Sequence, residues 1–354
     1  MEKIGIDVHK VSTQVCVLTE TGEYQEQRIR TEPDALTAFF GSRPRARVLL
    51  EAATESEWVA RHLETLGHEV IVADPNFAPM YASRNRKVKT DRRDARALCD
   101  ACHLGAFRPS HRSSDESRLL RKHLAARQVL VQTRSRMISL CRSLLRQEGI
   151  RVPSGAASSF PKRVRALGLP EELALAVEPL LATHKELCQQ VKAIDAKVEQ
   201  ATKNDERVKR LTTVPSVGVV TALTFIALVD DIRRFSSAAK LCAYLGLVPR
   251  EYSSGERQLR GHITKAGNSR LRSLLVECAW GILRRANPQT EALSAWALRI
   301  AARRGKRIAA VALARKLAGI LFAMTQHSRD YDPERLRRAV TQAPAVSAPH
   351  AVAA

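Results

Sequence analysis

Three short strand-like runs open the chain and limit its fold more than any other feature: KIGIDVH, STQVCVLTE and, after the turn ETGE, YQEQRIRT. Runs of this length joined by tight polar turns make an antiparallel meander. The hydrophobic period then alternates. PDALTAFF is helical, RVLLEA is a buried strand, ESEWVARHLETLG is an amphipathic helix stopped by Gly67, and HEVIVADP returns to strand. Three strands followed by β and α units predict a mixed sheet covered by helices, an α/β domain over residues 1–110.

The pattern downstream is helical. Ser117 to Gln147 reads as one long helix with Leu120, Leu124, Val131, Ile138, Cys141 and Leu145 on one stripe and arginines elsewhere. After the loop RVPSGAASSFPKR, apolar positions from Leu173 to Ala201 recur in alternating fours and threes, a coiled-coil seam that includes His184 as a packing residue. Pro179 weakens the first turns, so the seam is expected from Leu180 onward. Residues 111–206 therefore read as a helical hairpin or dimerising arm, and 207–330 as a mostly α domain with one loop, PREYSSGERQLRGHITKAGNSRL. Within it TVPSVGVVTALTFIALV resembles a helix-hairpin-helix motif presenting backbone amides to phosphates, or is an ordinary helix start. The tail, 331–354, is low in complexity and reads as disordered.

Charge narrows the class of partner. Lys and Arg number 58 against 36 Asp and Glu, a net +22, and so large an excess points to a polyanion, with nucleic acid the natural one. Aromatic residues are only 5%, so arginine contacts to phosphate should dominate over base stacking. No 18-residue apolar run is evident and MEKIGIDVHK lacks the apolar core of a signal peptide, so cytoplasmic residence is expected. Seven scattered cysteines do not make a disulfide framework, and Cys99, Cys102 and His103 lack a second ligand pair at zinc spacing.

Four carboxylates stand out. Asp7 interrupts an apolar strand and Glu51 ends another, positions where a buried acid needs cationic compensation. Asp91 and Asp94, in KTDRRDARAL, share one face of a helix start. They read either as N-terminal acids paired with Arg92, Arg93 or Arg96, or as ligands. If that helix packs across the sheet edge, the four acids converge and demand divalent cations, Mg²⁺ or Mn²⁺, suited to two-ion phosphodiester chemistry. This is the layout of an RNase H-like nuclease site. Arg84, Arg86, Lys87, Lys89, Arg92, Arg93 and Arg96 surround the two aspartates, so the same segment attracts nucleic acid. A second candidate is the Ser-Gly loop with Tyr252, Ser253 and Ser254, flanked by Arg250, Arg257, Arg260 and Lys265, which reads as a hydroxyl nucleophile or as a phosphate-binding loop.

Taken in order, IGIDVHK, LLEA, GHEVIVADP, KTDRRDARAL, TVPSVGVVTAL and LCAYLGLVPREYSSGERQLRGHITKAGNSRLRSLL resemble the IS110 family of transposases, including its IS1111 branch, over nearly the whole chain. The resemblance implies a RuvC-like DEDD domain joined through a helical segment to a C-terminal transposase domain. It assigns the metal tetrad to Asp7, Glu51, Asp91 and Asp94 and the nucleophilic serine to Ser254, with Ser253 and Tyr252 as rivals. It further implies cutting and rejoining of the element's own DNA through a phosphoserine link. Relatives act as homo-oligomers, dimer or tetramer, in which one subunit's carboxylates meet another's serine, guided by a structured bridge RNA. One departure is visible: many relatives carry Glu-Ala-Thr-Gly after the strand, where this chain reads EAATES. Two other readings compete. A resolvase or nuclease using metal-activated water needs the carboxylates and not Ser254, and an inert nucleic-acid-binding protein needs neither. Actin-like sugar kinases share the IGID start, but no Gly-rich phosphate loop follows.

Overall fold

The computed structural model describes residues 1–82, 90–254 and 257–335, with the side chains of 253–260 outside the description. The chain forms two compact units, Met1–Ser113 and Ser114–Ala354. The helical arm and the C-terminal region, separate in the sequence reading, both lie in the second.

In the first unit, β1 (Lys3–Val8), β2 (Ser12–Leu18) and β3 (Tyr24–Arg30) form the expected antiparallel meander. Helix α1 (Pro33–Phe40) leads to β4 (Arg47–Glu51), and α2 (Ser56–Thr65) leads to β5 (Glu69–Ala73), both strands parallel to β1, giving the order β3-β2-β1-β4-β5. Side chains alternate across a pleated strand, so each face has its own cover. Ile4, Ile6, Val15, Val17, Val48 and Leu50 pack with Leu36, Phe40, Val59 and Leu63 of α1 and α2. The opposite face, with Cys16, Leu18 and Leu49, is covered by Ala95, Leu98, Cys99 and Cys102 of α3 (Asp91–Leu104).

Gly5 lets that helix lie flat on the sheet. A Cβ there would stand 2.1 Å from the Cys99 nitrogen and 2.3 Å from the Ala95 carbonyl oxygen, so only glycine fits under the helix backbone. The CxxC pair is part of this packing. The Cys99 thiol donates to the Lys3 carbonyl at 3.1 Å and the Cys102 thiol to the Arg47 carbonyl at 3.6 Å. Burial pushes Cys102 up to about 11, and the hydrogen bond with Cys16 together with burial raises Cys99, which keeps both groups neutral within this packing.

The second unit is mostly helical. Helix α4 (Asp115–Gln147) packs antiparallel to α6 (Glu171–Thr202): Arg127 pairs with Asp195, Arg134 reaches Cys188, and Cys141 and Leu145 meet Val177 and Leu181. The short α5 (Phe160–Arg165) closes their loop end, with Phe160 fully buried against His184, ring centroids 5.9 Å apart. The expectation that Pro179 weakens the start of α6 is corrected, since the helix runs through it and buries Val177 and Leu181 on either side. A proline interior to a helix costs roughly 3 kcal/mol, and burial of two such side chains at about 1.5–3 kcal/mol each offsets it.

Helices α7 (Glu206–Thr212) and α8 (Val219–Val229) pack as a pair around the Pro-Ser-Val-Gly turn, where Ser216 adopts a φ of +74°. They share a core with α9 (Ala238–Tyr244), α10 (Ser269–Arg284), α11 (Glu291–Arg304) and α12 (Lys306–Gln326). The segment read as a loop is instead an antiparallel ribbon, β6 (Pro249–Ser254) with β7 (Arg257–Ile263). Its strands are rich in Arg, Glu and Gln, which hid the period of two, while a two-residue connection is what cross-strand pairing needs. The expectation of no membrane-length apolar segment is also corrected. Helix α12 passes that test by length and composition, at a mean hydropathy of 1.7, but half of the apolar window is buried in the core of its own unit. Residues 336–354, read as a disordered tail, lie outside the described residues.

Candidate active site

Strand register brings the first two acids together. Ile6 pairs with Leu50 in the parallel β1–β4 ladder, so the next residues, Asp7 and Glu51, fall side by side at the C-terminal ends of neighbouring strands. Both belong to the face that α3 covers, by the same alternation that assigns Gly5 and Leu49 to it. Helix α3 begins at the residue that caps it: the Thr90 hydroxyl accepts from the Arg93 amide at 3.3 Å. Asp91 and Asp94 then occupy the first turn, where the helix dipole favours negative charge. Because Gly5 seats the helix, that first turn stands over the strand ends.

Asp7 and Asp91 each lie beside His9. Its Nε2 is 3.2 Å from Asp7 Oδ2 and 3.4 Å from Asp91 Oδ1, and the three residues' ligand atoms fall within 4.8 Å of one another. Burial pushes the Asp7 carboxyl above the usual carboxylate range, the charges of Asp94 and Asp91 push the same way, and His9 opposes them. Asp94 is buried and Asp91 half exposed. Glu51 is near by strand position but is turned to a different partner, accepting a hydrogen bond from Tyr81 Oη at 2.5 Å. It does not join the Asp7–His9–Asp91 group. A divalent cation fits this donor set: closely spaced carboxylates raise one another's proton affinity, and a +2 charge relieves the repulsion that the fold has built in.

The basic residues divide. Arg84, Arg86, Lys87 and Lys89 lie outside the described residues. Arg92 pairs with Glu26 of β3, which Arg96 also approaches at 4.0 Å, and the Arg96 guanidinium stacks over Tyr24 at 4.1 Å. Arg93 is exposed on the first turn of α3. The salt-bridged helix start and the carboxylate cluster thus coexist: Arg92 and Arg96 reach Glu26 of β3, while Asp91 and the buried Asp94 stand beside Asp7.

In the second unit, Ser254 is the last residue of β6 and pairs with Arg257 at the start of β7. The side chains of Ser253, Ser254, Arg257 and Arg260 lie outside the description, while Tyr252 and Arg250 are exposed on the ribbon. Lys265, with a φ of +57°, follows the ribbon and lines a groove of about 1820 Å³ whose wall also carries Arg304, Arg307 and Arg315.

Sequence reasoning missed three residues. Gly5 carries no side-chain signal, and its role appears only where a helix crosses it. His9 did carry one, since DVHK sets a potential ligand only two residues after Asp7, just past the end of its strand. Tyr81 sits in a short helical turn, remote in sequence from Glu51, and nothing in the pattern joins them.

Comparison with known proteins adds a second line of argument. A family model described as Transposase IS116/IS110/IS902 family matches residues 208–295, and a DEDD-type IS110 model described as Transposase matches 4–149. A probable family 20 transposase of Pseudomonas aeruginosa is 31% identical over 94% of this chain and 99% of its own length. The transposase for insertion sequence element IS1328 of Yersinia enterocolitica is 31% identical over 91% and 96%, and that for IS1111A of Coxiella burnetii 29% identical over 93% and 90%.

Proposed function

We propose, from the premise that this chain belongs to the IS116/IS110/IS902 family of transposases, that it cuts and rejoins the DNA of its own insertion sequence through Ser254, assisted by a divalent cation. The observation that carries this reading is the meeting of Asp7, Asp91 and Asp94 where the first turn of α3 crosses the strand ends, in a mixed α/β unit of RNase H-like, RuvC-like order. Asp7, Glu51, Asp91 and Asp94 would hold Mg²⁺ or Mn²⁺, with Glu51 released from Tyr81 to do so. When bound, the cation supplies charge neutralisation on the phosphate undergoing transfer.

The chain's own residues do the rest. The Ser254 hydroxyl attacks phosphorus and releases its proton as the bond to the departing deoxyribose oxygen breaks, and that oxygen takes up a proton. A deoxyribose hydroxyl of the receiving strand then attacks the phosphoserine, restoring both the phosphodiester and the free serine. One phosphoester bond is exchanged for another at each step, so no external energy source is needed. Arg250, Arg257, Arg260 and Lys265 neutralise backbone phosphates near the serine, as Arg84, Arg86, Lys87, Lys89, Arg92 and Arg93 do near the carboxylates. The net +22 supports binding of nucleic acid, here DNA together with a structured guide RNA, and the working unit in this reading is a homo-oligomer.

A plasmid recombination assay with the full chain tests this. Ser254→Ala should lower strand exchange by at least about 10³-fold and remove the covalent protein–DNA adduct. Full exchange by that variant would defeat the serine mechanism, and cleavage without rejoining would favour a nuclease using activated water. Exchange that survives Asp91→Asn with Asp94→Asn would sink the cation's role. Exchange that persists without transcripts from the element's noncoding flanks would sink RNA guidance.

A further inference from the structure

We propose that His9 is an additional ligand of this cation, supplying an imidazole nitrogen beside the carboxylates of Asp7 and Asp91, so that the site favours Mn²⁺ over Mg²⁺. The inference rests on the metal-site reading above and adds a donor outside the four carboxylates assigned by resemblance.

Geometry is the first support. Adjacent donors around a cation with bonds of about 2.1 Å stand roughly 3 Å apart in an octahedron. His9 Nε2 lies 3.2 Å from Asp7 Oδ2 and 3.4 Å from Asp91 Oδ1, so small adjustments bring all three onto one coordination sphere.

The second support is how the residue is held. His9 lies in the turn between β1 and β2, where loops usually drift, yet its backbone is tied at two points. Its amide donates to the Ser12 carbonyl at 3.2 Å, and its carbonyl accepts from the Thr31 hydroxyl at 2.7 Å. Thr31 is itself buried and pairs with the buried Thr13 hydroxyl at 2.9 Å, while its amide donates to the Val11 carbonyl at 3.1 Å. Thr31, just after β3 and itself held by Thr13 of β2, thus fixes the backbone whose side chain reaches the carboxylates. A surface histidine that merely paired with an acid would need no such brace.

Chemistry sets the consequence. Mg²⁺ is a hard cation that prefers oxygen and dehydrates reluctantly, whereas Mn²⁺, the first and most oxygen-tolerant of the transition-metal series, accepts carboxylates and also gains from an imidazole nitrogen. A nitrogen donor therefore shifts selectivity without changing the reaction class.

The test uses purified full-length protein at one fixed pH, titrated with MnCl₂ and separately with MgCl₂ by calorimetry, with ¹⁴N coupling to bound Mn²⁺ read by electron spin echo modulation. Wild-type protein should show imidazole nitrogen coupling. His9→Ala should abolish it and weaken Mn²⁺ binding by about tenfold or more, while Mg²⁺ binding changes by less than about threefold. His9→Gln guards against a folding defect: it should match His9→Ala in losing the coupling while keeping the wild-type melting temperature. Mn²⁺ bound without nitrogen coupling in wild type, or coupling that persists in His9→Ala, overturns the proposal and leaves the carboxylate site standing. Mn²⁺ binding that is absent, or that survives Asp7→Asn with Asp91→Asn, overturns the metal-site reading and this inference with it.

Discussion

The carboxylates and the serine are held by opposite means. Asp7, Asp91 and Asp94 stand on a five-stranded sheet and a helix pressed onto it backbone to backbone, with Asp94 buried. Ser254 stands at the end of a two-stranded ribbon whose Tyr252 is 66% exposed and whose order depends on its base. There the Lys265 amide donates to the Gly246 carbonyl at 3.2 Å, the Thr264 amide to the Val248 carbonyl at 2.8 Å, and Arg272 to the Leu245 carbonyl at 3.1 Å. Metal ligands must converge within a few tenths of an ångström, which only a packed frame provides. The nucleophilic role proposed for Ser254 would need reach toward a DNA strand, which the end of a two-stranded ribbon can supply. Both regions nevertheless hinge on a glycine under foreign backbone: Gly5 beneath Cys99, and Gly246, with a φ of +67°, 2.3 Å by its missing Cβ from the Ala266 carbonyl oxygen.

The comparison breaks most sharply at those glycines. Gly5→Ala forces a methyl group into helix backbone that cannot step aside, so the first unit should lose about 3 kcal/mol and its Mn²⁺ binding with it. Urea unfolding followed by Trp58 fluorescence in a Trp280→Phe, Trp296→Phe background reads that unit alone, since these are the chain's only three tryptophans. A change under about 1 kcal/mol would mean that α3 does not rest on Gly5. Gly246→Ala should lose about 2 kcal/mol in the second unit from the left-handed φ and the close carbonyl. It should depress strand exchange while leaving Mn²⁺ binding unchanged. Loss of Mn²⁺ binding in Gly246→Ala would show that the two regions are not held independently.

What the sequence made legible follows the same division. The meander, the two parallel strands and the helix over them came from β-branched runs, alternation and helix periodicity, because each element buries a continuous apolar face. Asp7 and Glu51 stood out because acids in or after apolar runs conflict with burial, and Asp91 and Asp94 because their spacing sets them on one face of a helix start; the Asp7 and Asp91 carboxylates meet beside His9, and the Asp94 charge acts on Asp7. The pairing of Glu51 with Tyr81 was not legible, since it depends on how a distant turn folds back onto the strand end. Nor was the ribbon, because its polar and charged sequence carries no apolar alternation, and the Thr264 and Lys265 bonds at its base are backbone bonds to which side-chain type is indifferent. Pro179 misled for the reverse reason: a local helix penalty was read without the buried contacts that outweigh it.

A smaller effect sharpens the claim that the first unit is a rigid frame. Arg112 bridges Glu57 and Glu64 of α2, its Nε 3.0 Å from Glu57 Oε2, tying the end of the unit back to its helix. Burial opposes ionisation of Glu57, but hydrogen bonds from Arg112 and Arg61 outweigh it and hold the carboxyl below its usual range. A carboxyl depressed in the folded state contributes stability that is present above its unfolded value, near pH 4.3, and is lost as pH falls through the folded value. The expected contribution is about 1 kcal/mol for a partly exposed pair. Stability read at Trp58 should therefore fall from pH 5 to 3 in wild type, and less steeply in Arg112→Gln. Equal slopes would remove this tie from the frame.

Thr90→Ala makes the finest distinction, between stability of the frame and placement of its ligands. The Thr90 hydroxyl receives the Arg93 amide at 3.3 Å, a long bond, so its loss should lower stability by only about 0.5 kcal/mol, at the weak end of capping effects. Asp91 is the first residue of α3, however, so fraying there moves this proposed ligand directly, whereas Asp94, three residues further along and buried, stays against the sheet. Mn²⁺ affinity should consequently fall severalfold while the melting temperature shifts by no more than about 2 °C. Thr90→Ser, which keeps the capping oxygen, should restore the affinity. If Thr90→Ala lowered stability and left Mn²⁺ binding intact, Asp91 would be a helix-capping acid after all, and the cation would rest on residues deeper in the sheet.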